Sequence, residues 1–393
     1  MTRLPAVLAG RAALAGLLAS AALLVGACGN VPYYWQALNG EMEILHKRRP
    51  IAEVLQDPSV REDVKERLRL AGDVEGFSVT GLSLPAKGAY RYYADLGRPF
   101  VSWLVVAAPA VEMREYTWCY LIVGCLGYRG YFAKADADAL AAGLRAEGYD
   151  VLVRPVRAFS TLGWFDDPLL NTFLSQDPLD VMATLIHEQA HRRLWVNGDT
   201  EFNESFAVFV EHEGLRRYLE KRPPTAEYPA LPPVSMARYE AYCADQERFE
   251  SIAMEGRRRL VELYASALPD ADKLEGKTRV LAGIREDYQK QRPSFKLLNY
   301  DDWFGAGLNN AYFVGIAQYH VRVDAFAALF DEQGRDFKRF YAASEALGKL
   351  SPAERHAALN RLAAAGLPDA EPAGRKCLPA NRADFGTEND VSR

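Results

Sequence analysis

His187, Glu188 and His191 stand in the order His-Glu-x-x-His within Ile186-His187-Glu188-Gln189-Ala190-His191. Residues four apart lie one above the other on a helix, so this spacing lets both imidazoles reach one metal ion. Glu188, beside the first imidazole, is then placed to take a proton from an attacking water. The flanking residues predict the helix that this requires. Asp177 and Pro178 offer a cap followed by proline in the first turn, and Leu179, Met182, Leu185, Ile186 and Ala190 give a buried side. Asn197-Gly198-Asp199 is predicted to stop it.

A catalytic zinc ion usually takes three protein ligands and leaves the fourth position to water, so a third donor is needed. Phe202-Asn203-Glu204-Ser205-Phe206-Ala207 opens a second predicted helix, and Glu204 is the carboxylate placed to close the site. This run resembles the second signature of the gluzincins, whose third ligand is a glutamate in a similar setting. The resemblance implies a zinc site of His187, His191 and Glu204. The interval from His191 to Glu204, thirteen residues, is shorter than the common gluzincin spacing. Glu201 and Glu211 compete for the role. Glu211, two turns beyond Glu204 on nearly the same face, also suits a position behind a ligand.

The elements that must carry these residues follow from the rest of the chain. At 393 residues, about half of them apolar, it can bury one large core or two modest ones. The net charge of -5, spread without a long basic run, argues against nucleic acid as a partner and against a polybasic membrane surface. Residues 1–27 read as a signal peptide: Arg3 and Arg11 precede an apolar stretch, Ala12 to Val25, too short to span a bilayer unaided. It ends in Leu24-Val25-Gly26-Ala27-Cys28, which resembles the lipobox of bacterial lipoproteins. That resemblance implies a mature chain beginning at a lipidated Cys28, held at a membrane of the cell envelope and facing the periplasm. The other reading is an ordinary secretory signal. Gly29 stands where an aspartate marks inner-membrane retention, which leans toward the outer membrane.

Cys119, Cys125, Cys243 and Cys377 remain. In an oxidising compartment they read as two disulfides with three possible connectivities. The short Cys119 to Cys125 separation favours that bridge and leaves Cys243 with Cys377; buried free thiols are the alternative.

The expected fold is α+β. A polar helical stretch runs from about Gly40 to Leu70. Strands are then predicted at Phe77-Ser78-Val79-Thr80, Phe100 to Ala107, Trp118 to Val123, Tyr128 to Phe132 and Tyr149 to Ala158, interrupted by a helix from Asp136 to Glu147. Residues 28–175 thus form a sheet-rich part with one mixed sheet. Residues 176–366 form a predominantly helical part bearing the site, and 367–393 a polar tail. Ser351-Pro352-Ala353-Glu354 has the capping-box spacing, and the proline-rich run from Arg222 to Pro233 reads as a connection.

A wider resemblance rests on several segments together. These are Trp118-Cys119, Gly124-Cys125, Tyr128 to Phe132, Ser160 to Pro168, the His187 helix, Asn203 to Ala207, and Leu308-Asn309-Asn310-Ala311. Over most of the mature chain they look like a family of bacterial lipoproteins described as putative aminopeptidases. The resemblance implies a zincin-like fold and a zinc metallopeptidase acting on a peptide or protein substrate. In such folds an extended substrate adds to a sheet edge, and Val156 to Gly163 is the candidate strand. A tyrosine that stabilises the oxyanion in related zinc peptidases would be Tyr312, or Tyr319; either also suits ordinary packing. Asp166 and Asp167 suit an amine site but equally a turn start before Pro168, and His212 and His320 read as core or surface histidines. An aminopeptidase is the first expectation. A substrate-specific endopeptidase and a non-catalytic zinc-binding lipoprotein are the alternatives.

Overall fold

The computed structural model describes residues 31–85, 91–120, 124–157, 168–221, 228–314 and 322–365. Cys28, Asp166, Asp167, Tyr319, His320, Cys377, residues 158–163 of the proposed edge strand and the tail 367–393 lie outside them.

The architecture is α+β, with small sheets in the N-terminal half and a helical remainder. Helices α1 (Val31–Lys47), α2 (Ile51–Gln56) and α3 (Glu62–Leu82) come first, with strand β1 (Arg48–Pro50) between α1 and α2. Strands β2 (Tyr92–Ala94), β3 (Ser102–Ala108), β4 (Trp118–Tyr120), β5 (Gly124–Leu126) and β6 (Tyr128–Tyr131) follow. Helix α4 (Lys134–Ala146) and strands β7 (Asp150–Val156) and β8 (Leu169–Leu170) complete this half.

One expectation of the sequence is overturned here. Phe77, Ser78, Val79 and Thr80 are not a strand but part of α3. The hydroxyls of Ser78 and Thr80 donate back to the carbonyls of Val74 and Gly76, and Phe77 packs edge-on against Tyr218, so tertiary burial outweighs local β preference. The strands also divide into separate sheets. Among the described residues these are an antiparallel sheet in the order β6-β3-β7, a mixed sheet β1-β2-β8, and the hairpin β4-β5. In the first, β3 pairs with β7 from Ser102 opposite Val156 to Ala108 opposite Asp150, leaving β7 at an edge. Helix α4 covers this sheet with Ala137, Ala141 and Leu144, in one cluster with Val105 and Val151, the two alanines being small enough for a close approach.

The helical part begins with α5 (Asn171–Leu174), α6 (Pro178–Arg193) and α7 (Thr200–Lys221). It continues with α8 (Met236–Ala265), α9 (Asp270–Gln291), α10 (Asn310–Phe313), α11 (Val323–Glu332), α12 (Phe337–Gly348) and α13 (Pro352–Ala365). The main core lies where α6 and α7 pack on each other, with α3 on one side and α11 and α8 on the other. Gly214 permits the closest approach: a side-chain carbon there would stand 2.7 Å from Leu82 and 3.1 Å from Ile186. At the start of α13, Ser351 and Glu354 close the capping box, each main-chain N–H donating to the other's side chain. Among the described residues no helix is long and apolar enough to cross a membrane.

Candidate metal centre

Asp177 caps α6 by accepting the N–H of Leu179 at 3.0 Å, and its carboxylate is held in turn by both guanidinium nitrogens of Arg238. Leu179, Met182, Leu185, Ile186 and Ala190 are buried, which turns His187 and His191 toward α7. The helix ends at Arg193 with Leu194 extended, four residues before Asn197. The chain then turns through Gly198, whose φ of 78° lies in the left-handed region.

Two side chains hold this turn. Asp199 accepts the N–H of Phe202 in the first turn of α7 and pairs with the buried Arg355 of α13 at 2.8 Å. Asn203 reaches back across it. The N–H of Val196 donates to Asn203 Oδ1 at 2.7 Å, and Asn203 Nδ2 donates to the carbonyl of Val196 at 2.8 Å. Asn203 is fully buried, and its clamp puts Glu204, the next residue, opposite the two histidines.

The geometry is compact. His187 Nε2 stands 3.3 Å from Glu204 Oε2, and His191 Nε2 stands 3.5 Å from Glu204 Oε1. One donor atom from each of the three lies within 4.8 Å of the others. The other nitrogen of His187, Nδ1, faces Glu211 Oε2 at 3.0 Å, leaving Nε2 free for a metal. The Nδ1 of His191 is buried and has no hydrogen-bond partner among the described residues, so only one imidazole is held from behind.

Burial opposes a charge on His187, but the carboxylates of Glu204 and Glu211 outweigh it and raise its pKa well above the ordinary value. Burial would likewise raise Glu204, yet the hydrogen bonds from His187 and His191 hold it well below the usual carboxylate range. Glu211 goes the other way: burial dominates and lifts its pKa, with His187 opposing. Two imidazoles and a carboxylate, with one donor atom of each within 4.8 Å of the others, form a set that a divalent cation fits.

The remaining site candidates separate clearly. Glu188 follows His187 on α6, half-buried, and makes no hydrogen bond or ion pair among the described residues. Glu201 is not at the cluster but paired with Arg322. Tyr312 is on α10, its ring 5.6 Å from Trp303 and its hydroxyl against Gly307. No contact among the described residues brings it to the histidines. The neighbouring Asn309 and Asn310 have architectural roles. Asn309 caps α10, and Asn310 donates to the carbonyls of Pro109 and Ala110 and receives Tyr264. His212 is buried on α7.

Cys119 and Cys125 form a disulfide across the β4–β5 hairpin, and Cys243 is also disulfide-bonded. Sequence reasoning missed Trp195, which meets His191 edge-on at 5.3 Å while largely exposed. Trp195 lies beyond the end of α6, so no helical spacing in the sequence announced this contact. The clamping role of Asn203 was also missed.

A family model described as putative aminopeptidase matches residues 32–359. No curated protein and no solved structure matches the chain.

Proposed function

The chain belongs to the putative aminopeptidase family, and from that premise we propose that it is a zinc-dependent peptidase of the cell envelope, trimming peptides from their amino end. The observation that carries this reading is the meeting of His187, His191 and Glu204, from two helices, with Glu188 next to His187 in the chain. A zinc ion held by these three residues would polarise the scissile carbonyl and make a water acidic enough to attack at neutral pH.

The chain's own residues divide the remaining work. Glu188 takes a proton from the water as its oxygen bonds to the carbonyl carbon, and later gives that proton to the departing amine as the C–N bond breaks. Glu211 keeps His187 turned so that Nε2 faces inward, and Asn203 keeps Glu204 in register with α6. A purely structural metal site would need no carboxylate at the position of Glu188. In a zincin-like fold the substrate would lie along a sheet edge, and Val156 to Gly163, which starts at the last residue of β7, is the candidate read from the sequence.

The envelope location is supported by the residues leading to Cys28, which suit lipidation, and by the Cys119–Cys125 bridge, which suits an oxidising compartment. The reading is tested by metal analysis of the purified mature protein together with a panel of fluorogenic peptides, free or blocked at the amino end. One equivalent of zinc and cleavage of free peptides only are expected. Cleavage of blocked peptides would make it an endopeptidase, and zinc without cleavage would refute the enzyme.

A further inference from the structure

Helix α1 presents two different faces. On one, Ile44 is buried in the main core, Gly40 lies against Phe132, and Gln36 binds the edge of β6 by donating to the carbonyl of Gly130 and accepting the N–H of Phe132. Tyr33 stacks on Tyr120 at 5.4 Å. On the other face Tyr34, Trp35, Leu38 and Met42 are 40%, 64%, 53% and 40% exposed. At 100° per residue these four fall within about 100° of arc, a continuous exposed apolar stripe with Tyr34 at its margin, where its ring meets Tyr120 edge-on at 6.4 Å. Nothing in the folding of α1 requires it, because the helix is already fixed by its other side.

We propose that this stripe rests in the interface of a lipid bilayer, so that the protein is seated on the membrane and not merely tethered to it. The chemistry is that of an interfacial surface: tryptophan and tyrosine beside leucine and methionine on a helix lying along the membrane plane. The helix runs directly into His46, Lys47, Arg48 and Arg49, but Lys47 pairs with Glu43 and Arg49 with Asp57, so the seat rests on the apolar stripe and not on a net basic charge. Arg48 is exposed, its guanidinium 4.9 Å from the centre of the Tyr92 ring.

The position of the helix in the chain points to the same occupant. Val31 follows Cys28 by three residues, which span at most ~11 Å when extended. An acyl group on Cys28 therefore brings the stripe to the headgroup layer. This geometry rests on the lipid reading given above; the affinity of the stripe does not. A second copy of the chain fits less well, since a stable dimer buries about 20–30 residues a side and the stripe offers four large side chains.

The test uses the full mature chain with Cys28→Ser, which removes the lipid and leaves the stripe as the membrane contact. It is mixed with vesicles of phosphatidylethanolamine and phosphatidylglycerol at physiological ionic strength, half of them carrying brominated acyl chains. We expect sedimentation with the vesicles and quenching of tryptophan emission by the brominated lipid. Adding Trp35→Ser and Leu38→Ser should lower partitioning at least tenfold, with unchanged thermal melting and metal content. Absence of vesicle binding, equal binding by the triple variant, or a dimer in sedimentation velocity that these two substitutions abolish would overturn the proposal. An unacylated Cys28 in the wild-type chain would refute only the lipid reading, and stripe-dependent vesicle binding would still support the seat.

Discussion

Asn203 and the main chain of Val196 are joined in both directions, the asparagine amide accepting at 2.7 Å and donating at 2.8 Å. The link spans the turn between the two helices that supply His191 and Glu204. It explains how an interval of thirteen positions suffices from His191 to Glu204: α6 stops early, and the turn is held by a side chain instead of a longer loop. Asn203→Ala should then strip two buried hydrogen bonds without touching a metal. We expect a loss of roughly 2 kcal/mol in stability by denaturant unfolding, together with weaker zinc retention against a chelator. Unchanged retention would show that Glu204 finds its place without the clamp.

Glu204 and Glu211 approach the same imidazole from opposite nitrogens, Nε2 at 3.3 Å and Nδ1 at 3.0 Å. Glu204→Ala removes a ligand and should abolish stoichiometric zinc. Glu211→Ala loosens the orientation of one ligand and should lower affinity by about 10–100-fold, a milder effect. Zinc content and affinity of the two purified variants decide this. The reverse ranking would assign the wrong carboxylate to the metal.

The Cys119–Cys125 bridge closes a loop of only six residues, so its effect on the unfolded chain is small. Replacing both cysteines by serine should cost about 2 kcal/mol or less, read as a lowered melting temperature. Zinc content should stay the same, because the hairpin does not contribute to the cluster. Loss of zinc in this variant would contradict that separation.

Glu250, on α8, has one oxygen shielded from solvent, and burial pushes its pKa up to about 8 from 4.5, with Glu247 adding repulsion. The folded state therefore holds this proton more tightly than the unfolded chain. The associated stability is complete below pH 4.5 and is lost as pH rises through about 8. Glu250→Gln should flatten this decline and exceed the wild type by about 2 kcal/mol at pH 9, after allowing for partial exposure. Parallel melting curves from pH 5 to 9 would refute the assignment.

The sequence carried some elements better than others. Strands β3, β6 and β7 were legible from their aromatic and β-branched residues, and helix α4 from an Ala-Leu spacing whose Ala137, Ala141 and Leu144 the structure buries. Phe77 to Thr80 misled because four residues of β-forming type sit in a long helix whose packing on α6 decides the outcome. The division into small sheets depends on contacts far apart in sequence, such as Tyr93 beside Leu169, which no local pattern reveals. At the site, the histidine spacing announces itself within a single helix. Asn203 looks locally like a helix-start residue, and only the turn discloses its task.

The central claim is that Glu188 handles protons while His187, His191 and Glu204 hold the metal. The most direct measurement is zinc content and peptide hydrolysis of Glu188→Gln beside the wild type. Because glutamine keeps the shape but cannot accept the proton, the account predicts full zinc with hydrolysis reduced at least a hundredfold. Normal hydrolysis by this variant, with its zinc intact, would contradict the account.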